Sequence, residues 1–296
     1  MSPDDLKPLE MADRDAINRF LQMDPPETSE LTFSNLFMWR NAYHPAWTTH
    51  DDMLLVVCRP EGSEPYALPP VGVGDKAAGL RAASRLAAGL GGAGVVARVP
   101  ESLVEVWVDP AFFEVRHAPE HSDYVYRRRD LVELKGKHYH KRRNHYNRFV
   151  ARHDFEYRSL DTELVECVLE MQNNWCQLRD CLEHPGLAQE DRAIFEALKH
   201  VEHLDFFGGA IVVDGKVEAF SLGEMLSPGV GVVHIEKANT AMSGLYAAIN
   251  QRFSQEAFAE AEFINREQDL GIPGLRQAKR SYHPHHMVEK YTLVPR

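Results

Sequence analysis

Asp214-Gly215, set between the apolar runs 206–213 and 216–224, restricts the fold of this chain more than any other short segment. Asp-Gly favours the two-residue turn with positive φ at both central positions, whose twist matches that of the flanking strands, so the spacing predicts a tight antiparallel hairpin. Behind the hairpin the periodicity predicts a strand over 231–238, a helix over 243–259, a strand over 263–266, a short helix over 275–281 and a last strand over 287–293. Ahead of it come helices over 137–152, 162–181 and 190–203, with a strand at 155–159.

Helices, an antiparallel hairpin and then strand–helix–strand is the order of an acyltransferase fold of the N-acetyltransferase type. The first half also mixes elements: helices over 12–22, 32–39, 76–90 and 101–108 alternate with strands near 53–58, 66–68, 95–99, 112–117 and 123–126. The length of 296 residues suits two domains of ordinary size. The expectation is an α/β (α+β) chain with a domain over 1–129 that reads as a degenerate copy and a domain over 130–296 that carries the main site. No sequence repeat marks a duplication.

Composition bounds the partners. The formal charge of −11 argues against general nucleic-acid binding, yet seven cations and no acid fall between Leu134 and His153. No apolar run reaches the roughly 18 residues of a membrane helix. The amino terminus lacks the basic-then-apolar pattern of a secretion signal. A cytoplasmic protein is therefore expected. Cys58, Cys167, Cys176 and Cys181 form no C-x-x-C pair, and three fall in one predicted helix, so they read as free thiols rather than disulfides or zinc ligands.

The carboxy-terminal segment holds the densest chemistry. Asn265, Glu267 and Asp269 leave a strand end on one face by alternation, a Gly271-Ile272-Pro273-Gly274 turn follows, and Arg276, Lys279 and Tyr282 return at spacings of three. Upstream, His234 and Glu236 alternate onto one face of a strand that ends at Asn239, and Tyr246 opens the next helix. Together these residues predict one pocket. A carboxylate beside a histidine can take a proton from an attacking amine or hydroxyl, which makes Glu236 or Glu267 the candidate base and His234 its companion. Lys279 or Arg276 is the candidate oxyanion or phosphate group. Asn239, Asn265, Asp269, Arg276, Tyr246 and Tyr282 are candidate substrate contacts, with Asp269 also readable as a turn cap. His283, His285 and His286 lack standard metal-ligand spacing and read as a surface loop, so no metal is expected. No Ser/His or Cys/His nucleophile pattern is present.

Three segments carry a resemblance: Gly136 to Phe149, His234 to Asn239 with Gly244-Leu245-Tyr246, and Asn265 to Pro284. In that order they are similar to the phosphatidylglycerol lysyltransferase C-terminal domain family. Leu31 to Arg40 fits it more loosely. The resemblance implies tandem N-acetyltransferase-like domains, each a mixed twisted sheet flanked by helices. It also implies transfer of an aminoacyl group from charged tRNA to an amine or hydroxyl acceptor. The acceptor could be a small molecule, a peptide or a lipid head group. In the lipid-modifying members this domain adjoins a membrane-embedded part that the sequence here does not show, so a soluble acceptor is as good an expectation as a lipid.

The family-matching Lys137, Arg142, Arg143 and Asn144 become candidates for tRNA or another polyanion. The stretch from Glu236 to Tyr246 has one glycine, Gly244, where a coenzyme A-binding loop would be glycine-rich. No cofactor is therefore expected. Acyl-coenzyme A as co-substrate of an N-acyltransferase is the second reading, and a non-catalytic binding protein that keeps the pocket is the third.

Overall fold

The computed structural model describes residues 2–296, which form two mixed sheets flanked by helices. Across the first sheet the strands are Lys7–Pro8, Ala46–His50, Met53–Cys58, Tyr66–Ala67, Val96–Pro100, Lys290–Pro295 and Phe113–His117, with Val71–Gly72 also paired to Met53–Cys58. Across the second they are Phe155–Ser159, Phe207–Val213, Lys216–Ser227, Val230–Ala238, Phe263–Asn265, Asp123–Arg127 and His286–Val288. Slot for slot the two sheets share one plan. In each the fourth and fifth strands run parallel, joined at Ala67↔Val96 in the first and from Val230↔Phe263 to Val232↔Asn265 in the second. In each the helix between those strands, Lys76–Gly89 or Leu245–Glu256, supplies the core.

The strand beside the fifth is exchanged. Lys290–Pro295, from the end of the chain, completes the first sheet, and Asp123–Arg127, from the first half, completes the second. A cut between 129 and 130 therefore misplaces both. The compact units are the chain up to Asp123 with Gln268–Gly271 and Val288–Arg296, and Tyr124–Glu267 with Ile272–Met287. The single last strand expected over 287–293 is two strands, one in each sheet.

Local sequence explains most boundaries. Asp214 and Gly215 both adopt positive φ, 50° and 76°, as the predicted hairpin turn requires. The Asp161 carboxylate accepts from the Leu164 N–H at 2.9 Å and starts the helix Thr162–Leu178. That helix ends before Cys181, and Cys176 and Cys181 form a disulfide, so the expectation of four free thiols fails there. The chain turns back after Leu178 and brings together two thiols that one continuous helix would hold apart. Cys58 and Cys167 are free, and burial pushes the Cys58 thiol up to about 12. The basic helix begins at His140, three residues later than expected.

Candidate functional site

In the second unit, Val230–Ala238 and Phe263–Asn265 pair over three residues and then part. The candidate residues cluster at this splay. His234 falls at a β-bulge: Ile235 lies opposite Leu222 and Val233 opposite Gly223, which leaves His234 as the extra residue. The bulge reverses the alternation expected from sequence, so His234 and Glu236 leave the strand on opposite faces. Glu236, opposite Ser221, turns toward the helix Leu245–Glu256, where Asn250 donates to its Oε2 at 3.1 Å. His234 turns toward Glu224 of the neighbouring strand.

Arg266 and Glu267 divide in the same way. On the Glu236 face, Arg266 Nη2 lies 3.0 Å from Glu236 Oε1, and its guanidinium lies over the Tyr282 ring at 4.9 Å. The Arg142 guanidinium lies over the same ring at 4.7 Å. Both oxygens of Glu236 are thus engaged. Arg266 Nη1, Asn250 Oδ1 and Ser221 Oγ are buried with no hydrogen-bond partner, which leaves polar capacity around that carboxylate.

On the other face, His234 Nδ1 lies 2.7 Å from Glu267 Oε1 and Nε2 lies 3.0 Å from Glu224 Oε1. The imidazole is fully buried, with the ring of Phe206 edge-on at 5.9 Å. Burial opposes a charged ring here, but the hydrogen bonds and charges of Glu224 and Glu267 outweigh it and lift the imidazole to about 9. His234 is therefore a cation at neutral pH and cannot act as a base. Glu267 sits at positive φ, 54°, and its N–H donates to Asn265 Oδ1 at 2.8 Å. Its side chain is one-fifth exposed, and Oε2 has no partner among the described residues.

The other candidates fall around this centre or away from it. The Lys279 ammonium bonds the carbonyl oxygens of Arg266 and Glu267, so it holds the strand end. Arg276 is half-buried on the helix Pro273–Arg280. The Asp269 carboxylate accepts from the Gly271 N–H at 2.8 Å as a turn cap, and its segment clusters with the first unit. Asn239 bonds Glu218 at 2.7 Å and the Ala241 N–H at 3.0 Å, which shapes the loop before Tyr246. The residues grouped by sequence into one pocket thus form two ionic clusters on opposite faces of one splay. Glu224, Arg266, Asn250 and Ser221 were not foreseen. Arg266 stands in the tail motif itself, and alternation from Asn265 would have placed it opposite Glu267. No local signal marks Glu224.

Of the four polyanion candidates, Lys137 and Asn144 are exposed, but Arg142 and Arg143 turn inward. Arg142 bonds Ser281 and Arg143 bonds the Leu134 carbonyl. Lys135 is exposed and paired with Glu133; the other exposed cations of the run are Lys137, Lys141, Arg148 and Arg152, which recur at near-helical spacing along and beside His140–Val150. None of the latter has an ionic partner among the described residues. The basic helix also seals the start of the central helix. Gly244, at φ 97°, lies so near the His145 carbonyl that a Cβ would come within 2.1 Å of that oxygen.

The profile of the family described as phosphatidylglycerol lysyltransferase, C-terminal, matches residues 25–294. The chain belongs to this family. A conserved protein of unknown function from Bacteroides thetaiotaomicron is 34% identical, with each chain fully covered and a TM-score of 0.91. The C-terminal domain of a putative lysylphosphatidylglycerol synthetase from Agrobacterium fabrum superposes with a TM-score of 0.68 at 14% identity, over 96% of this chain and 92% of that one. FemX superposes with a TM-score of 0.59 at 9% identity, over 98% and 97%. The family member thus has an N-acetyltransferase-like fold. A comparison with curated proteins finds no match.

Proposed function

We propose that this chain is an aminoacyltransferase that moves an aminoacyl group from charged tRNA to an amine or hydroxyl acceptor, without a resident cofactor. The observation that carries the reading is the row of unpaired cations, Lys141 and Arg148 on the helix His140–Val150 and Lys137 and Arg152 just beyond its ends, with that helix packed against the start of the central helix. Exposed cations of this kind suit the phosphates of a nucleic acid. The His145 carbonyl against Gly244 puts a partial negative charge where coenzyme A would need an open cradle for its diphosphate, which disfavours the acyl-coenzyme A reading.

The aminoacyl ester is already activated, so the protein has to orient the two substrates and move one proton. The acceptor nitrogen or oxygen attacks the ester carbonyl carbon. Its proton passes to the open Glu267 oxygen, the carbon–oxygen bond to the terminal ribose breaks, and the ribose oxygen leaves with a proton. Glu236 is the poorer base, because Arg266 and Asn250 hold both its oxygens. Lys279 fixes the backbone from which Glu267 projects.

The test is binding of aminoacylated bulk tRNA across a salt series. Replacing Lys141, Arg148 and Arg152 with Glu should weaken binding at least tenfold. It should also flatten the slope of log affinity against log salt by about 0.7–0.9 per lost phosphate contact. Equal affinity and slope in wild type and the triple variant would remove tRNA from the reading. Arg142→Ala is the control, since its loss should act through the packing of Tyr282.

A further inference from the structure

His234 is the one group in the splay that is fully buried, ionic and bonded at both ends. An imidazole between two carboxylates cannot serve both by accepting. With both carboxylates ionised each ring nitrogen donates, which requires the doubly protonated ring. Neither Glu224 nor His234 can touch a substrate directly, being 5% and 0% exposed in their side chains, whereas Glu267 is 20% exposed. The three groups therefore form a line running from the interior to the open oxygen of Glu267.

We propose that Glu224 is a positioning residue: it holds His234 as a buried imidazolium, and that cation fixes the Glu267 carboxylate through Oε1 so that Oε2 points outward to receive a substrate N–H or O–H. The proposal rests on the reading of Glu267 as the proton acceptor. Each link has its own support in the fold. Glu224 lies on the even-numbered face of its strand, opposite Val232, where the β-bulge delivers His234. Glu267 reaches the same face through its positive φ, which costs an ordinary side chain about 1 kcal/mol and is held by the Asn265 and Lys279 contacts to its backbone. Without the bulge, His234 would lie on the Glu236 face and Glu267 would lose its anchor.

The charged groups that face this line are Glu224 from the hairpin strand, Glu267 from the strand end, and the Lys279 ammonium at the Glu267 carbonyl. Phe206 closes the ring edge with an uncharged surface. Only the two carboxylates hydrogen-bond the imidazole, so removing one negative charge should lower its affinity for protons, and the Lys279 cation acts in the same direction.

The experiment follows the His234 ring nitrogens by NMR in the full chain, for wild type, Glu224→Gln, Glu224→Asp and Glu267→Gln, alongside transfer from aminoacyl-tRNA. In wild type both nitrogens should carry protons through neutral pH, with a midpoint near 9. Glu224→Gln should move that midpoint down by a tenfold or greater change in proton affinity, and Glu224→Asp should restore part of it. In the transfer assay Glu224→Gln should lower kcat with KM for tRNA unchanged and shift the pH profile, which a purely structural residue would not do. A neutral His234 in wild type, or a midpoint unmoved in Glu224→Gln, overturns the proposal even if transfer is seen. If the ring titrates as expected but Glu267→Gln transfers at the wild-type rate, the base assignment fails and the role of Glu224 falls with it. Wild type alone decides the first point should a variant not fold.

Discussion

The two units place a charged residue at the same point of the same plan and do opposite things with it. Arg98 stands two residues past the last parallel pair of the first sheet, at φ 62°, and Glu267 stands two past the last pair of the second, at φ 54°. Around Arg98 the ionic cluster is closed. Its guanidinium lies 3.3 Å from Glu30 Oε1, and Lys290 Nζ lies 2.6 Å from Glu30 Oε2 and 2.7 Å from Asp123 Oδ1. Asp123 Oδ2 accepts from the Ser29 N–H at 2.9 Å, so every carboxylate oxygen has a charged or hydrogen-bonding group beside it, Glu30 Oε1 by the ion pair to Arg98 alone. Around Glu267 the cluster is open, with one oxygen unpaired. Shared backbone strain is thus compatible with a structural knot in one unit and a reactive group in the other. What separates them is whether the surrounding groups use up the carboxylate oxygens.

The sharpest way to break the comparison is to separate the halves. Fragments 1–129 and 130–296 should each fail to unfold cooperatively alone, because each lacks the strand that completes its sheet, and mixing them should restore the native circular dichroism. A cooperatively folded 130–296 fragment would show that Asp123–Arg127 is dispensable to the second unit.

The next largest effect should come from Lys290→Met. It leaves Asp123 as an uncompensated buried charge and Glu30 with Arg98 as its remaining ionic partner, at a cost of about 3–5 kcal/mol in chemical denaturation. Glu267→Gln should cost about 1 kcal/mol, since Gln still accepts from His234 and the open oxygen has no partner to lose. Equal costs would mean that the second cluster is as structural as the first.

The most gradual effect is the pH dependence of stability, spread over more than two pH units. His234 is raised from 6.5 to about 9 in the folded chain, so its contribution is fully present below pH 6.5 and is lost as pH rises through 9. Between those limits stability should fall by about 1 kcal/mol per pH unit, and His234→Gln should abolish that slope. A slope that survives the substitution would assign the dependence to other groups.

Much of the second unit was legible in sequence, because its signals are local. Asp214-Gly215 sets the hairpin, and apolar periodicity sets the strand and helix that follow; the strand ends at Asn265, so Glu267 takes its face from its positive φ rather than from the alternation expected of the tail motif. The basic run marked the right helix but not the right residues. Arg142 and Arg143 read as surface cations until Ser281, Tyr282 and the Leu134 carbonyl came within reach of them.

What the sequence determined by itself is the family, the fold type and the segments that meet at the splay, since propensity, turn chemistry and motif order all act over short spans of chain. Tertiary structure alone decided three things. The β-bulge put His234 and Glu236 on opposite faces, because its extra residue is counted only against a partner strand. The Cys176–Cys181 disulfide depended on where a helix stopped. The exchange of Asp123–Arg127 and Lys290–Pro295 paired strands far apart in the chain, and hydrogen bonding between strands is indifferent to sequence distance.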